Sequence, residues 1–178
     1  RDFFPYLKTG PSNIIYFDNA ATTQKPLPVI EKISDFYSNK NSTVHRSVHE
    51  LGSYATEEYE NVRMAIQRFV SAKHSKEIIF TSGATESINL VASAYKQFIQ
   101  PNDVILVSPI EHHSNLIPWQ ILAKEKGAII KKIPMNNDMH IDLEGLKKML
   151  SKQVKLISVH HVSNVTGIAQ NIKELVKE

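Results

Sequence analysis

Residues 77–98 contain the clearest candidate in this chain for binding a small anion. An apolar run at 78–80 precedes a turn, 81–85, that is rich in hydroxyl groups and contains Gly83, and an amphipathic helix follows. The first backbone N–H groups of a helix lack intrahelical partners and lie at the positive end of its dipole. With hydroxyls beside them, such groups can bind phosphate. The stretch also suits an ordinary turn in which Glu86 caps the helix, so both interpretations remain open.

Other polar side chains lie in loops that follow predicted strands. The loop 108–115 carries the adjacent pair His112 and His113, and the loop 160–167 carries Asn164. Adjacent histidines rarely converge on one metal ion, and the chain has no cysteine to join them, so we expect no metal site. These residues also have ordinary interpretations, as structural or surface histidines and as an asparagine in a turn.

The elements that must position these loops alternate along the chain. The sequence predicts strands at 78–80, 104–108, 128–133 and 155–162, and helices from the turn to 98, at 116–126, at 143–150 and from 171 to the end. This alternation predicts an α/β fold of three layers, in which helices flank a mostly parallel sheet. Ligands bind beyond the C-terminal ends of such strands, where the polar loops lie.

The first part of the chain is predicted to be less regular. Residues 1–13 predict an N-terminal arm. A strand at 14–18, a helix opened by Pro26 or Pro28 and ending near 37, a polar loop at 39–47 and a long helix at 49–72 are predicted to follow. Two polar segments, 18–23 and 44–49, lie among these elements.

Composition excludes several classes of protein. The 178 residues carry 21 Lys and Arg against 18 Asp and Glu, well mixed along the chain, which does not favour nucleic-acid binding. The absence of cysteine excludes a disulfide framework, a thiolate metal site or a thiol nucleophile from this chain. No apolar run approaches a membrane span, and no secretory signal is recognisable, so an intracellular, cytoplasmic protein is expected. An organellar location after removal of a transit peptide is also compatible, because the chain does not begin with Met.

Five segments in order carry a resemblance to a known family: YFDNAATTQKP, VHRSVHELG, FTSGATESINLVA, EHHSNLIPWQ and HVSNVTG. They resemble the fold-type I pyridoxal-phosphate enzymes of aminotransferase class V and, among these, the Suf-type cysteine desulfurases, which handle both cysteine and selenocysteine. The resemblance extends from about Tyr16 to the C-terminus. Five motifs in the correct order are specific, whereas any one alone would be weak.

The resemblance implies pyridoxal 5'-phosphate as cofactor and assigns residues to its parts. Gly83, Ala84 and Thr85 hold the phosphate through backbone N–H groups and the Thr85 hydroxyl. Many members have Thr where this chain has Ala84, which removes one possible hydroxyl contact. His113 stacks on the pyridine ring and moves a proton, both of which an imidazole can do. Asn164 donates to the phenolic oxygen and lies near the substrate carboxylate.

The substrate side of the site is implied in the same way. Ala20 and Ala21 match a segment whose backbone touches the substrate. His45 and Arg46 match a polar segment that faces the active site, although they also suit a solvated loop.

Other residues are given a minor role or lie outside the matched region. His112 is assigned a supporting role, and His160 and His161, which alternate across a predicted strand, are assigned none. In the family, the lysine that forms the Schiff base, the aspartate that pairs with the pyridinium nitrogen, the nucleophilic cysteine and the substrate-binding arginine all lie beyond the matched region. Residues 14–178 are therefore expected to be the N-terminal part of the cofactor-binding large domain, incomplete and inactive alone.

The implied reaction converts L-cysteine or L-selenocysteine to L-alanine. The sulfur passes to a cysteine persulfide and then to an acceptor protein, typically for iron–sulfur cluster assembly, in a homodimeric enzyme. Two alternatives remain. One is another class V enzyme, a kynureninase-like hydrolase or a transaminase. The other is an isolated half without catalytic activity.

Overall fold

The computed structural model describes residues 2–11 and 14–177. Arg1, Ser12 and Asn13 of the predicted arm, and Glu178 at the end of the last predicted helix, lie outside the described residues. The chain divides into two compact units, residues 1–80 and 81–178.

Among its described residues, the first unit has three α-helices, a π-helix (Phe36–Lys40) and a 3₁₀ helix (Ser75–Glu77). The α-helices are α1 (Pro5–Thr9), α2 (Leu27–Asp35) and α3 (Glu50–Phe69). Pro28 lies in the first turn of α2, where its missing N–H costs nothing, and His49 caps α3 by accepting the Gly52 N–H at 3.2 Å. The predicted helices are thus confirmed. The polar loop, predicted to begin at residue 39, begins after Lys40, because Phe36–Lys40 continues α2 as a π-helix.

The second unit contains a parallel three-stranded sheet. Its strands are β1 (Val104–Val107), β2 (Ile129–Lys132) and β3 (Val154–Ser158), in the order β2-β1-β3. Both pairings are parallel, so β1 is the central strand, and all four of its residues are buried. The predicted strands are confirmed in place and direction, although β3 ends at Ser158 instead of continuing to residue 162.

Helices cover both faces of this sheet. α4 (Ala84–Tyr95) and α5 (Ile117–Lys126) contribute to one apolar cluster with Ile105 and Val107, whereas α6 (Leu143–Met149) and α7 (Ile172–Leu175) pack in a second cluster with Val104 and Leu106. Successive side chains of a strand point to opposite faces, so β1 supplies both cores. This arrangement confirms the predicted three-layer α/β fold.

The predicted strands at 14–18 and 78–80 are wrong, because neither segment pairs with a strand among the described residues. In the first, the Tyr16 hydroxyl donates to the Thr22 carbonyl at 2.6 Å and Phe17 is 91% exposed. In the second, Arg63 donates to the Ile78 carbonyl and its guanidinium lies 5.1 Å from the centre of the Phe80 ring. Side-chain contacts hold these two segments instead of backbone pairing with a strand. Apolar composition alone does not provide a partner strand.

None of the helices in the described ranges combines the length and apolar character needed to cross a membrane.

Leu146 provides a test of the second core. Its side chain is fully buried between α6 and the sheet, so Leu146→Ala should lower the free energy of unfolding by about 2–5 kcal/mol. Leu90→Ala is the matched control, because Leu90 is 45% exposed on α4 and its truncation leaves no comparable cavity. Denaturant unfolding of both variants checks this, and equal losses would contradict the assigned core.

Candidate functional site

The N-terminus of α4 is open to a ligand. Gly83 is its N-cap, and no side chain caps the first turn, so the N–H groups of Ala84 and Thr85 have no intrahelical acceptor. A Cβ atom at Gly83 would meet no heavy atom within 4 Å. The Thr85 hydroxyl has no hydrogen bond among the described residues. A positive helix end, free N–H groups and a free hydroxyl therefore coincide.

The neighbouring polar groups are already engaged with each other. Glu86 accepts hydrogen bonds from the Ser82 N–H and hydroxyl, each at 2.6 Å. These bonds lower the pKa of the Glu86 carboxyl, the hydroxyl bond being the larger cause. Thr81 Oγ1 lies 2.7 Å from Ser87 Oγ. Glu86 therefore binds Ser82, the residue before the N-cap, and does not occupy the N–H groups of the first turn.

His113 begins a short 3₁₀ helix, His113–Asn115, that contacts both α4 and α5. His112 caps this helix, since its Nδ1 accepts the Ser114 N–H at 3.1 Å and lies 2.7 Å from Ser114 Oγ. The His113 ring is exposed and has no hydrogen-bond partner among the described residues. The structure therefore fixes the His112 ring and leaves that of His113 available. In the described ranges, no group of three or more His, Cys, Asp or Glu could hold a metal ion.

A buried polar network joins the loop after β1 to the end of β3. Glu111, whose side chain is 1% exposed, accepts from the His160 N–H at 2.7 Å and lies 2.7 Å from His160 Nδ1. Asn115 donates to Glu111 at 2.8 Å and accepts from the Ser158 hydroxyl at 2.7 Å and from Trp119 Nε1 at 3.1 Å. Sequence reasoning missed Glu111 and Asn115. The available signal was two polar side chains in a loop between a predicted strand, 104–108, and a predicted helix, 116–126.

Asn164 lies in a tight turn that follows β3. Ser163, which is 4% exposed, accepts the N–H groups of Val165 and Thr166 at 3.3 and 3.2 Å through its hydroxyl. Gly167 has φ = 72°, a conformation in which a Cβ atom would be strained. The turn therefore holds the backbone while the exposed Asn164 amide has no hydrogen bond within the described ranges.

The other predicted site residues belong to the first unit. Ala20 and Ala21 lie in an exposed turn in which the Ala21 N–H donates to the Asp18 carbonyl at 3.2 Å. Both residues are exposed, and their contact with a substrate stays a prediction of the resemblance.

His45 and Arg46 lie in a bend before α3. His45 has φ = 64°, which is uncommon for a residue with a Cβ atom. Its N–H donates to Thr56 Oγ1 at 2.9 Å, and its Nε2 lies 3.2 Å from the Glu60 carboxylate. Arg46 is exposed and has no ion pair with a described residue. His45 is thus held by α3, whereas the Arg46 guanidinium remains free to bind an anion.

Comparison with protein families gives a match to aminotransferase class-V over residues 15–178. A probable cysteine desulfurase of Halalkalibacterium halodurans is 44% identical over 99% of this chain and 44% of its own length. A probable cysteine desulfurase of Staphylococcus aureus is 45% identical over 92% of this chain and 40% of its own length. The chain therefore spans less than half the length of the curated relatives it matches.

Comparison with solved structures also finds cysteine desulfurases, again over less than half of their length. The apo structure of a cysteine desulfurase from Thermococcus onnurineus superimposes with a TM-score of 0.91 at 38% identity, covering 99% of this chain and 43% of the other. A cysteine desulfurase from Escherichia coli gives a TM-score of 0.85 at 35% identity, over 99% of this chain and 44% of its own.

The Ser82–Glu86 contact predicts a measurable titration. The pKa of Glu86 should lie below its ordinary value of 4.5, so the stabilisation is complete above that value and is lost as the pH falls through the lowered pKa. In Ser82→Ala the hydroxyl bond is absent, and the pKa should move back toward 4.5. Carboxyl carbon NMR titration checks this, with Ser93→Ala on the same helix as control. A Glu86 pKa that is equal in wild type and Ser82→Ala would refute the contact.

Proposed function

Because the chain belongs to the aminotransferase class-V family, we propose that it forms part of the pyridoxal-phosphate site of a cysteine desulfurase. The observation that carries the proposal is the uncapped N-terminus of α4, with the free Thr85 hydroxyl in its first turn and the 3₁₀ helix of His113 packed against the same helix. The names of the relatives support the choice of desulfurase within the family.

The residues present fit the cofactor's separate parts. Ala84 and Thr85 offer N–H groups to the phosphate at the positive end of a twelve-residue helix, and Thr85 adds a hydroxyl. The exposed His113 ring can stack on a flat heteroaromatic ring. The Asn164 amide can donate to the phenolic oxygen. None of these groups has to give up a hydrogen bond to a described residue in order to do so.

Pyridoxal phosphate, when bound, supplies the electron sink that amino-acid chemistry at the α-carbon requires. The protein's part is to bind and orient. Backbone donors at a helix end hold the phosphate without a change of protonation, and an imidazole can in addition accept or return a proton near neutral pH. His113 is therefore assigned both the stacking contact and a proton transfer.

The substrate side is proposed to lie with the first unit's loops. Ala20 and Ala21 would let the main chain approach the amino acid, and His45 and Arg46 would offer polar groups to it. In the second unit, the Asn164 amide is proposed as a further group that binds substrate. Arg46 is suited to a carboxylate, because guanidinium binds carboxylate in a bidentate manner. L-cysteine or L-selenocysteine is the proposed substrate. The proposal also includes an acceptor protein for the sulfur and a role in iron–sulfur cluster assembly. It further includes a homodimeric enzyme and a cytoplasmic location.

Two substitutions in the full-length protein test it. Thr85→Ala removes a donor to a charged phosphate and should weaken pyridoxal-phosphate binding about tenfold. His113→Ala should slow alanine formation from L-cysteine by about 100-fold or more, because it removes a proton-transfer group. Ser93→Ala, which removes an exposed hydroxyl farther along α4, should change neither quantity.

Equilibrium dialysis with pyridoxal phosphate and an assay for L-alanine measure the two effects. Wild-type binding by Thr85→Ala together with wild-type turnover by His113→Ala would contradict the site. Cofactor binding without alanine formation from L-cysteine would contradict the substrate and favour another enzyme of the family.

A further inference from the structure

The loop that carries His113 is anchored by a carboxylate that water hardly reaches. Only 1% of the Glu111 side chain is exposed, and its two oxygens accept from the His160 N–H at 2.7 Å and from the Asn115 amide at 2.8 Å. Both oxygens accept hydrogen bonds, as a carboxylate can, whereas an amide in the same place has only one acceptor oxygen.

The His160 ring contacts the same carboxylate. His160 Nδ1 lies 2.7 Å from Glu111 Oε1, within reach of a hydrogen bond to that oxygen. His160 Nε2 is buried and has no partner among the described residues. His160 is thus held against Glu111 by its backbone N–H and by its ring.

The network anchors the chain on both sides of His113. Glu111 lies two residues before it and is bound to His160, 49 residues away in the sequence. Asn115 lies two residues after it and is bound to Ser158, 43 residues away. Both attachments lead to the end of β3, and His160 is only four residues before Asn164. The network therefore fixes the loop of His113 relative to the loop of Asn164.

We propose that Glu111, Asn115 and His160 form a positioning unit that sets His113 and Asn164 at the correct separation for the ring of the cofactor. This inference rests on the proposed function and extends it, because the three residues act through His113 and Asn164 and do not touch the cofactor themselves. The phosphate site at the start of α4 needs none of them, since Ala84 and Thr85 provide its donors.

This independence allows a test with two probes on the full-length protein, pyridoxal phosphate and inorganic phosphate. Glu111→Gln is nearly isosteric but places an NH₂ group against either His160 or Asn115, so it disrupts the network without leaving a cavity. His160→Leu removes the ring nitrogen that contacts Glu111, and His160→Asn keeps an N–H near the position of Nδ1. His140→Leu, at an exposed histidine of the same unit, is the control.

Glu111→Gln and His160→Leu should bind pyridoxal phosphate about 10–100-fold more weakly than wild type, by analogy with the loss seen when hydrogen bonds that orient metal ligands are removed. Their affinity for inorganic phosphate should stay within about twofold of wild type. His160→Asn should recover most of the loss, and His140→Leu should show none. Thr85→Ala, by contrast, should weaken both probes.

The outcomes separate the two proposals. If wild type fails to bind pyridoxal phosphate, the proposed function fails and this inference falls with it. If wild type binds and Thr85→Ala weakens binding, but Glu111→Gln and His160→Leu bind like wild type, only the positioning unit is refuted. The inference would also be overturned if Glu111→Gln and His160→Leu lost affinity equally for pyridoxal phosphate and inorganic phosphate, with a matching fall in the thermal midpoint of the cofactor-free protein. The network would then be structural only. If Glu111→Gln does not fold, the His160→Leu and His160→Asn pair decides, and equal weakness of the two would overturn the inference.

Discussion

Burial of β1 between two parallel neighbours is the constraint on which the second unit depends. All four of its residues are inaccessible, and their alternation supplies an apolar side chain to each of two cores in turn. Parallel strands bring their C-terminal ends to one edge of the sheet, so the loops after β1 and β3 must lie near each other. That shared edge lets Ser158 reach Asn115 and His160 reach Glu111.

At the turn before α4, some polar groups bond to each other and others are left for a ligand. Ser82 donates to Glu86, and the Thr81 hydroxyl bonds to Ser87 and to the Gly83 carbonyl, so these groups hold the turn before α4. The Thr85 hydroxyl has no hydrogen bond to a described residue, and no side chain caps the first turn, so the positive end of the helix stays open. A carboxylate in the first turn would weaken an anion site if it lay across the free N–H groups, but Glu86 is turned back onto Ser82. Residues 81–86 can therefore hold the turn and still leave N–H groups for a ligand.

Histidines in this chain differ by environment more than by motif. His112 and His113 are adjacent, yet one ring caps a helix and the other makes no hydrogen bond to a described residue. His160 is buried against a carboxylate that sequence reasoning gave no role. In the first unit His45 is fixed by α3 in a left-handed backbone conformation. Residue type thus limits the possible chemistry, and the packing around each ring selects among the possibilities.

The sequence by itself determined the alternation of elements, the parallel sheet, the three layers and the polar loops at the strand ends, because periodicity and turn chemistry are local properties. Ordered motifs were sufficient to indicate the family. Tertiary structure alone decided that 14–18 and 78–80 are not strands, since a strand needs a partner that no local pattern reveals. It alone also joined Glu111 to His160 across 49 residues, because a contact between distant residues depends on the register of the sheet and not on the composition of either loop.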